Sequence, residues 1–181
     1  MKLDRRSLLG LLGAGAATPA VAQAADGGQV AFLHGVASGD PDHHSAVFWT
    51  RVTPADPSAG EIPVVLEVAK DAEFTDMVRR TADLTARAER DFTVKHDLHG
   101  RGLEPGHEYF YRFIARGVTS PVGRVRTLPL GATPQVNLAV VSCQLYPGGL
   151  FNAYEAISQL DRLDAVVHLG DYIYEYGAAP N

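Results

Sequence analysis

The chain of 181 residues is 46% hydrophobic and carries a formal net charge of −5 at pH 7. That length and apolar content allow one full domain, or a small one plus part of another. The acidic balance and the lack of a basic stripe argue against nucleic-acid recognition, and no uninterrupted run of 18 or more apolar residues predicts a membrane-spanning helix.

Residues 1–24 read as a targeting segment. Lys2, Arg5 and Arg6 form a charged start, Leu8 to Val21 is apolar and rich in small residues, and Ala22-Gln23-Ala24 supplies an A-x-A cleavage pattern. The mature chain is expected to begin at Ala25 and to carry no membrane span. Arg5-Arg6-Ser7-Leu8-Leu9 resembles a twin-arginine signal, which implies the twin-arginine export machinery as a partner. Asp4 stands where Ser or Thr is usual and Leu8 where Phe is favoured; an ordinary secretory signal containing two arginines is the alternative. Either route predicts a periplasmic or secreted protein.

Residues 28–130 read as all-β. Val30-Ala31-Phe32 opens the region, and Ala46 to Val52 is rich in β-branched and aromatic residues. Pro54 to Gly60 is a turn-rich break, Val64 to Val68 the next strand, and Phe92 to Leu98 alternates with period two. Tyr109, Tyr111 and Phe113 alternate with Phe110, Arg112 and Ile114, and Val118 to Thr127 ends the set. Short strands at this spacing predict a sandwich of two antiparallel sheets. Leu103 to Tyr109 resembles the turn before a late strand of fibronectin type III modules, with Tyr109 or Tyr111 supplying a corner hydroxyl bond. Trp49, the only tryptophan, is expected in the sandwich core, and a weak helical signal covers Asp71 to Val78. Asp40-Pro41-Asp42-His43-His44 has the composition of a metal cluster, but adjacent histidines on a polar loop are more often solvated.

Gly131 to Gln135 reads as a linker, and residues 135–181 as α/β. Val136 to Val141 predicts a strand ending in Ser142-Cys143-Gln144. A helix is expected from Phe151 to Leu160, capped by Asn152 with Glu155, its Tyr154, Ile157 and Leu160 facing the sheet. Val166, Val167 and Leu169 then belong to an apolar run of the kind buried on both faces of a parallel sheet, ended by Gly170-Asp171. In a βαβ unit both strand ends open on one edge, where open α/β sheets place their ligands. Cys143 and Asp171 become neighbours, with Tyr174 three residues on.

Asp171 and Tyr174 together suggest metal chemistry. A carboxylate is a hard oxygen ligand, and a phenolate, normally formed only near pH 10, is held deprotonated by a strongly Lewis-acidic ion. On spacing alone, a strand end followed by a tyrosine-rich loop is an equal reading. Cys143 is the only cysteine, so no internal disulfide is possible. A lone cysteine is usually a small buried hydrophobe, but its place opposite Gly-Asp-x-x-Tyr favours a ligand. His168 reads as a core histidine rather than a ligand.

In two-metal phosphoesterases of the calcineurin type, the first strand ends in Asp-x-His and the second in Gly-Asp-x-x-Asp. Purple acid phosphatases carry tyrosine at the last position. Here Gly170-Asp171-Tyr172-Ile173-Tyr174 is the tyrosine version, and Ser142-Cys143-Gln144 replaces Asp-x-His. That combination resembles the alkaline phosphatase D, or PhoD, family. His34 to Pro41, Val47 to Arg51 and His168 to Tyr176 also look like that family, and the likeness runs from about Ala31 to Tyr176.

The resemblance implies a fibronectin type III-like β-sandwich followed by the first βαβ unit of an α/β calcineurin-like metallophosphoesterase domain. It implies that Cys143 and Tyr174 bind Fe(3+), that Asp171 bridges iron to Ca(2+), and that the substrates are phosphate mono- or diesters. A monomer is expected. Further ligands of such sites come from later strands, so the chain is expected to be the N-terminal portion of a larger enzyme and inactive alone. The competing readings are a purple acid phosphatase-like enzyme and a secreted, non-enzymatic β-sandwich binding module.

Overall fold

The computed structural model describes residues 29–100, 102–145 and 151–175. The targeting segment expected at 1–24 lies outside them. Most of the described chain is strand, with one α-helix and one short 3-10 turn.

Two antiparallel sheets build the first part. One has the order β2 (Val36–Gly39), β3 (Ala46–Arg51), β7 (Thr93–Leu98). The other runs β10 (Gly123–Arg126), β8 (Glu108–Ala115), β5 (Ile62–Ala69), β6 (Met77–Ala86), with β9 (Val118–Thr119) also paired to β8. A two-stranded ribbon joins β1 (Val30–Ala31) to β4 (Thr53–Pro54). Period-two alternation decides which side chains face inward. Ala46, Phe48 and Thr50 of β3, Ile62, Val64, Leu66 and Val68 of β5, and Tyr109, Tyr111 and Phe113 of β8 are all buried. The two sheets share one apolar core. Phe48 meets Tyr111 across it, edge to face at 4.8 Å between ring centroids, an arrangement that aromatic quadrupoles favour.

Local chemistry fixes the connections. Arg116 (φ 47°) and Gly117 (φ 78°) form the two-residue hairpin between β8 and β9. Positive φ at both positions gives the turn a twist that matches its flanking strands. The corner hydroxyl belongs to Tyr109: it accepts the Glu104 N–H at 2.6 Å. Thr127 completes that corner, its Oγ1 donating to the Glu104 carbonyl at 2.6 Å and accepting the His107 N–H at 3.1 Å. On the outer face of β5, the buried Glu67 accepts from Arg112 at 2.8 Å and from Arg80 at 3.3 Å. The Arg112 guanidinium also lies 4.0 Å over the Phe74 ring.

Several expectations are corrected here. Trp49 is half-buried on the outer face of β3, opposite Ala37 and Lys95. Neighbouring strand residues face opposite ways, and Phe48 takes the inward place. Asp71 to Asp76 is a turn rather than a helix, because Asp71 accepts N–H bonds from Thr75 and Asp76 and so draws the chain into a loop before β6. The His43 and His44 rings bond through Nδ1 to the separate carbonyls of Leu128 and Leu103. Among the described residues no group of three or more His, Cys, Asp or Glu side chains is disposed to hold a metal.

The second part is a parallel pair, β11 (Leu138–Val141) and β12 (Ala165–His168), with α1 (Asn152–Ser158) between them. The helix starts from Phe151 in a left-handed conformation, and Asn152, already helical, makes no capping bond. Tyr154 and Ile157 are half-buried as expected, whereas Leu160 is exposed. Val166, Val167 and Leu169 are exposed too, since among the described residues this sheet has two strands and one short covering helix.

Candidate metal centre

The ladder between β11 and β12 continues past both strands. Leu169 N–H donates to the Val141 carbonyl at 2.8 Å, Cys143 N–H to Gly170 at 3.1 Å, and Gln144 N–H to Asp171 at 2.8 Å. These bonds hold the two strand ends side by side. Cys143 (φ 61°) and Asp171 (φ 54°) both adopt the left-handed conformation. That region is uncommon for residues other than glycine and costs on the order of 1 kcal/mol or more each. Such a cost persists where surrounding bonds over-determine it, and here the extended ladder does so.

The result is a convergence on one atom. Asp171 Oδ2 accepts from the Cys143 thiol at 3.5 Å and from the Tyr174 hydroxyl at 3.0 Å. All three residues predicted from the sequence are therefore brought together, with Cys143 and Asp171 exposed and Tyr174 half-buried. Hydrogen bonding to Cys143, then desolvation, then the bond to Asp171, push the Tyr174 phenol above its ordinary pKa. Losing the phenol proton would add a negative charge beside the Asp171 carboxylate and the Cys143 thiol. A cation reverses that logic.

The motif implies iron and calcium, and the donor set suits them unequally. Loss of the thiol and phenol protons would leave thiolate, phenolate and carboxylate, three negative charges around one point, which suits Fe(3+). Calcium takes six to eight oxygen ligands, and Asp171 is the carboxylate this cluster offers it. The residues fit an iron position, with one oxygen ligand to share with a second ion.

His168 stays outside the cluster. Its Nδ1 accepts the Gly170 N–H at 3.2 Å, its ring stands edge to face with Tyr172 at 5.1 Å, and its Nε2 is buried without a partner among the described residues. It is thus a less satisfied histidine than the core role expected for it. A further contact was not anticipated: the Tyr154 hydroxyl of α1 donates to Gln144 Oε1 at 2.9 Å. The available signal was a hydroxyl-bearing aromatic on the sheet-facing stripe of the helix, where an aliphatic residue would pack equally well.

The family model described as PhoD-like phosphatase, N-terminal domain, matches residues 16–129, and that described as PhoD-like phosphatase matches residues 138–181. The chain belongs to the PhoD-like phosphatase family. Alkaline phosphatase D of Bacillus subtilis (strain 168) is 44% identical over 156 residues, which are 81% of this chain and 26% of that protein. A solved structure described as the structure of PhoD superposes with a TM-score of 0.72 at 42% identity, over 81% of this chain and 28% of its own. The largely β architecture with few helices is thus that of a PhoD structure. The PhoD-like chain spans about a quarter of the length of these relatives.

Proposed function

We propose that the protein carrying this chain is an exported metallophosphoesterase that hydrolyses phosphate mono- or diesters. The observation that carries the reading is the convergence of Cys143 Sγ and Tyr174 OH on Asp171 Oδ2, at the carboxyl ends of two adjacent parallel strands. That is the sheet edge where α/β folds bind ligands, and the residues match the motifs that resemble PhoD.

In this reading Cys143 and Tyr174, as thiolate and phenolate, would hold Fe(3+), and the Asp171 carboxylate would serve iron and Ca(2+). When bound, the ions polarise the phosphoryl group, offset its developing negative charge and lower the pKa of an attacking water. The chain's own contribution is placement. The extended ladder and the two left-handed residues fix the ligands before substrate arrives, so little reorganisation remains at the moment of reaction.

The sheet orders β2-β3-β7 and β6-β5-β8-β10, with the Tyr109 corner bond, support a fibronectin type III-like sandwich over 28–130. The parallel strands joined through α1 support a calcineurin-like βαβ unit within 135–181. Residues 1–24 read as a twin-arginine leader, which would carry the mature protein to the periplasm or outside the cell, and we propose that it is a monomer. We expect the 181 residues alone to hydrolyse phosphate esters poorly, since among the described residues Asp171 is the one carboxylate of the cluster that calcium could use.

The test joins this chain to the complementary part of a PhoD-like catalytic domain and supplies iron and calcium. A visible phenolate-to-iron band that disappears in Tyr174→Phe, together with phosphoester hydrolysis, is the expected result. An iron-loaded protein without that band, or one whose colour survives Tyr174→Phe, overturns the ligand assignment.

A further inference from the structure

Gln144 has its two ends committed differently. Its backbone N–H is tied to the Asp171 carbonyl at 2.8 Å, which fixes the residue beside the metal-binding cluster. Its side-chain carbonyl accepts the Tyr154 hydroxyl at 2.9 Å. The amide nitrogen, at the other side of the same planar group, has no partner among the described residues. An amide carries an acceptor oxygen and a two-proton donor nitrogen, and occupying the oxygen determines where the nitrogen points. Gln144 is half-buried, so its donor is set in place rather than swinging in bulk water.

The cluster next to it consists of a carboxylate, a thiol and a phenol, all committed to metal in the reading above. A phosphate ester brought to that edge presents anionic non-bridging oxygens that need donors. Neither the metal ligands nor the family motif assigns one. We infer that Gln144 donates a hydrogen bond from its side-chain amide to a phosphoryl oxygen of the substrate, and that Tyr154 is the positioning residue that fixes the orientation of that amide. This rests on the phosphoesterase reading above. Tyr154 acts only through Gln144; its ring packs with Phe151 at 6.1 Å and is retained in Tyr154→Phe.

The experiment uses the joined protein described above, with inorganic phosphate as the probe. Gln144→Leu removes the donor at similar size, and Gln144→Glu replaces it with a charge that repels phosphate. A hydrogen bond to a charged oxygen is worth about ten- to a hundredfold in affinity. Gln144→Leu should therefore raise KM and the phosphate inhibition constant together by about tenfold, with iron colour unchanged, and Gln144→Glu should raise both further. Tyr154→Phe should shift both in the same direction by a smaller factor, and should add nothing in the Gln144→Leu background. Parent-like KM and phosphate inhibition in Gln144→Leu overturn the donor role. A Tyr154→Phe effect that persists in full in the Gln144→Leu background overturns the positioning role. If the parent hydrolyses nothing, the phosphoesterase reading fails, while calorimetric phosphate binding by parent and Gln144→Leu still decides the donor question: equal binding, or none by either, overturns it.

Discussion

The Cys143 thiol and the Asp171 carboxylate are 28 residues apart in sequence and 3.5 Å apart in space. The first prediction concerns that pair. In the joined protein, Cys143→Ser should lower bound iron well below one equivalent. Hydrolysis should fall by more than tenfold, since even outer-shell changes at metal sites cost about ten- to a hundredfold. Asp171→Asn should lower iron and calcium together. Metal analysis after gel filtration checks both, and a Cys143→Ser protein with full iron and full activity would remove cysteine from the ligand set.

The second prediction concerns the buried corner. Tyr109→Phe keeps the ring but leaves the Glu104 N–H without its acceptor at 2.6 Å. The bond is part-buried and Glu104 is exposed, so its loss costs about 0.5–1.5 kcal/mol, the net worth of a typical hydrogen bond. The urea midpoint of the 181-residue chain should fall by a matching amount with an unchanged slope.

Gly123 supplies a third. It lies opposite Tyr111 in the β8–β10 ladder, and a Cβ added there would stand 2.3 Å from the phenol ring carbon Cζ. Tyr111 is buried and braced by Phe48 and Phe113. Gly123→Ala should therefore destabilise the chain by about 1–3 kcal/mol through overpacking. Pairing it with Tyr111→Leu should cost less than the sum of the two single changes, because the second removes the obstacle. Thermal unfolding of the four proteins completes the cycle.

A fourth concerns pH. Burial holds the His96 imidazole below its ordinary 6.5. The unfolded chain takes up that proton first, so stability should begin to fall as pH drops below about 6.5. Asp71, held low by N–H bonds from Thr75 and Asp76, and Asp91, held low by Arg51, lose their contribution only below the ordinary carboxylate value of 3.8. Acidification should thus weaken the fold in two stages. His96→Gln should flatten the upper stage alone, as read from urea midpoints between pH 8 and the acid limit; an unaltered upper stage would mean His96 is not its source.

Alternation made the strands legible. Tyr109, Tyr111 and Phe113 mark the inner face of β8 in the sequence because their spacing matches the pleat. Phe48 and Trp49 show where that reasoning stops. Both are large and aromatic, only one can face inward, and the choice is made by Tyr111 on the other sheet. Cys143, Asp171 and Tyr174 were legible as a set because strand ends of a βαβ unit share an edge. The left-handed backbone at the first two was not, since it follows from ladder bonds between distant segments. Neither was the Tyr154–Gln144 bond, which depends on how α1 sits over the strands. Asn152 misled for a local reason: Phe151 took the position before the helix, so the residue best suited to cap was already inside it.

The outward turn of Trp49 gives the molecule its own optical reporter. The indole is the chain's single tryptophan, half-buried on β3 and remote in sequence from the α/β segment. Its emission should be red-shifted and accessible to small aqueous quenchers in the native state, and should respond to melting of the antiparallel sheets. A phenolate-to-iron absorbance would instead respond to the parallel strands. Two colours followed in one denaturation would show whether the halves of the chain come apart together or in succession.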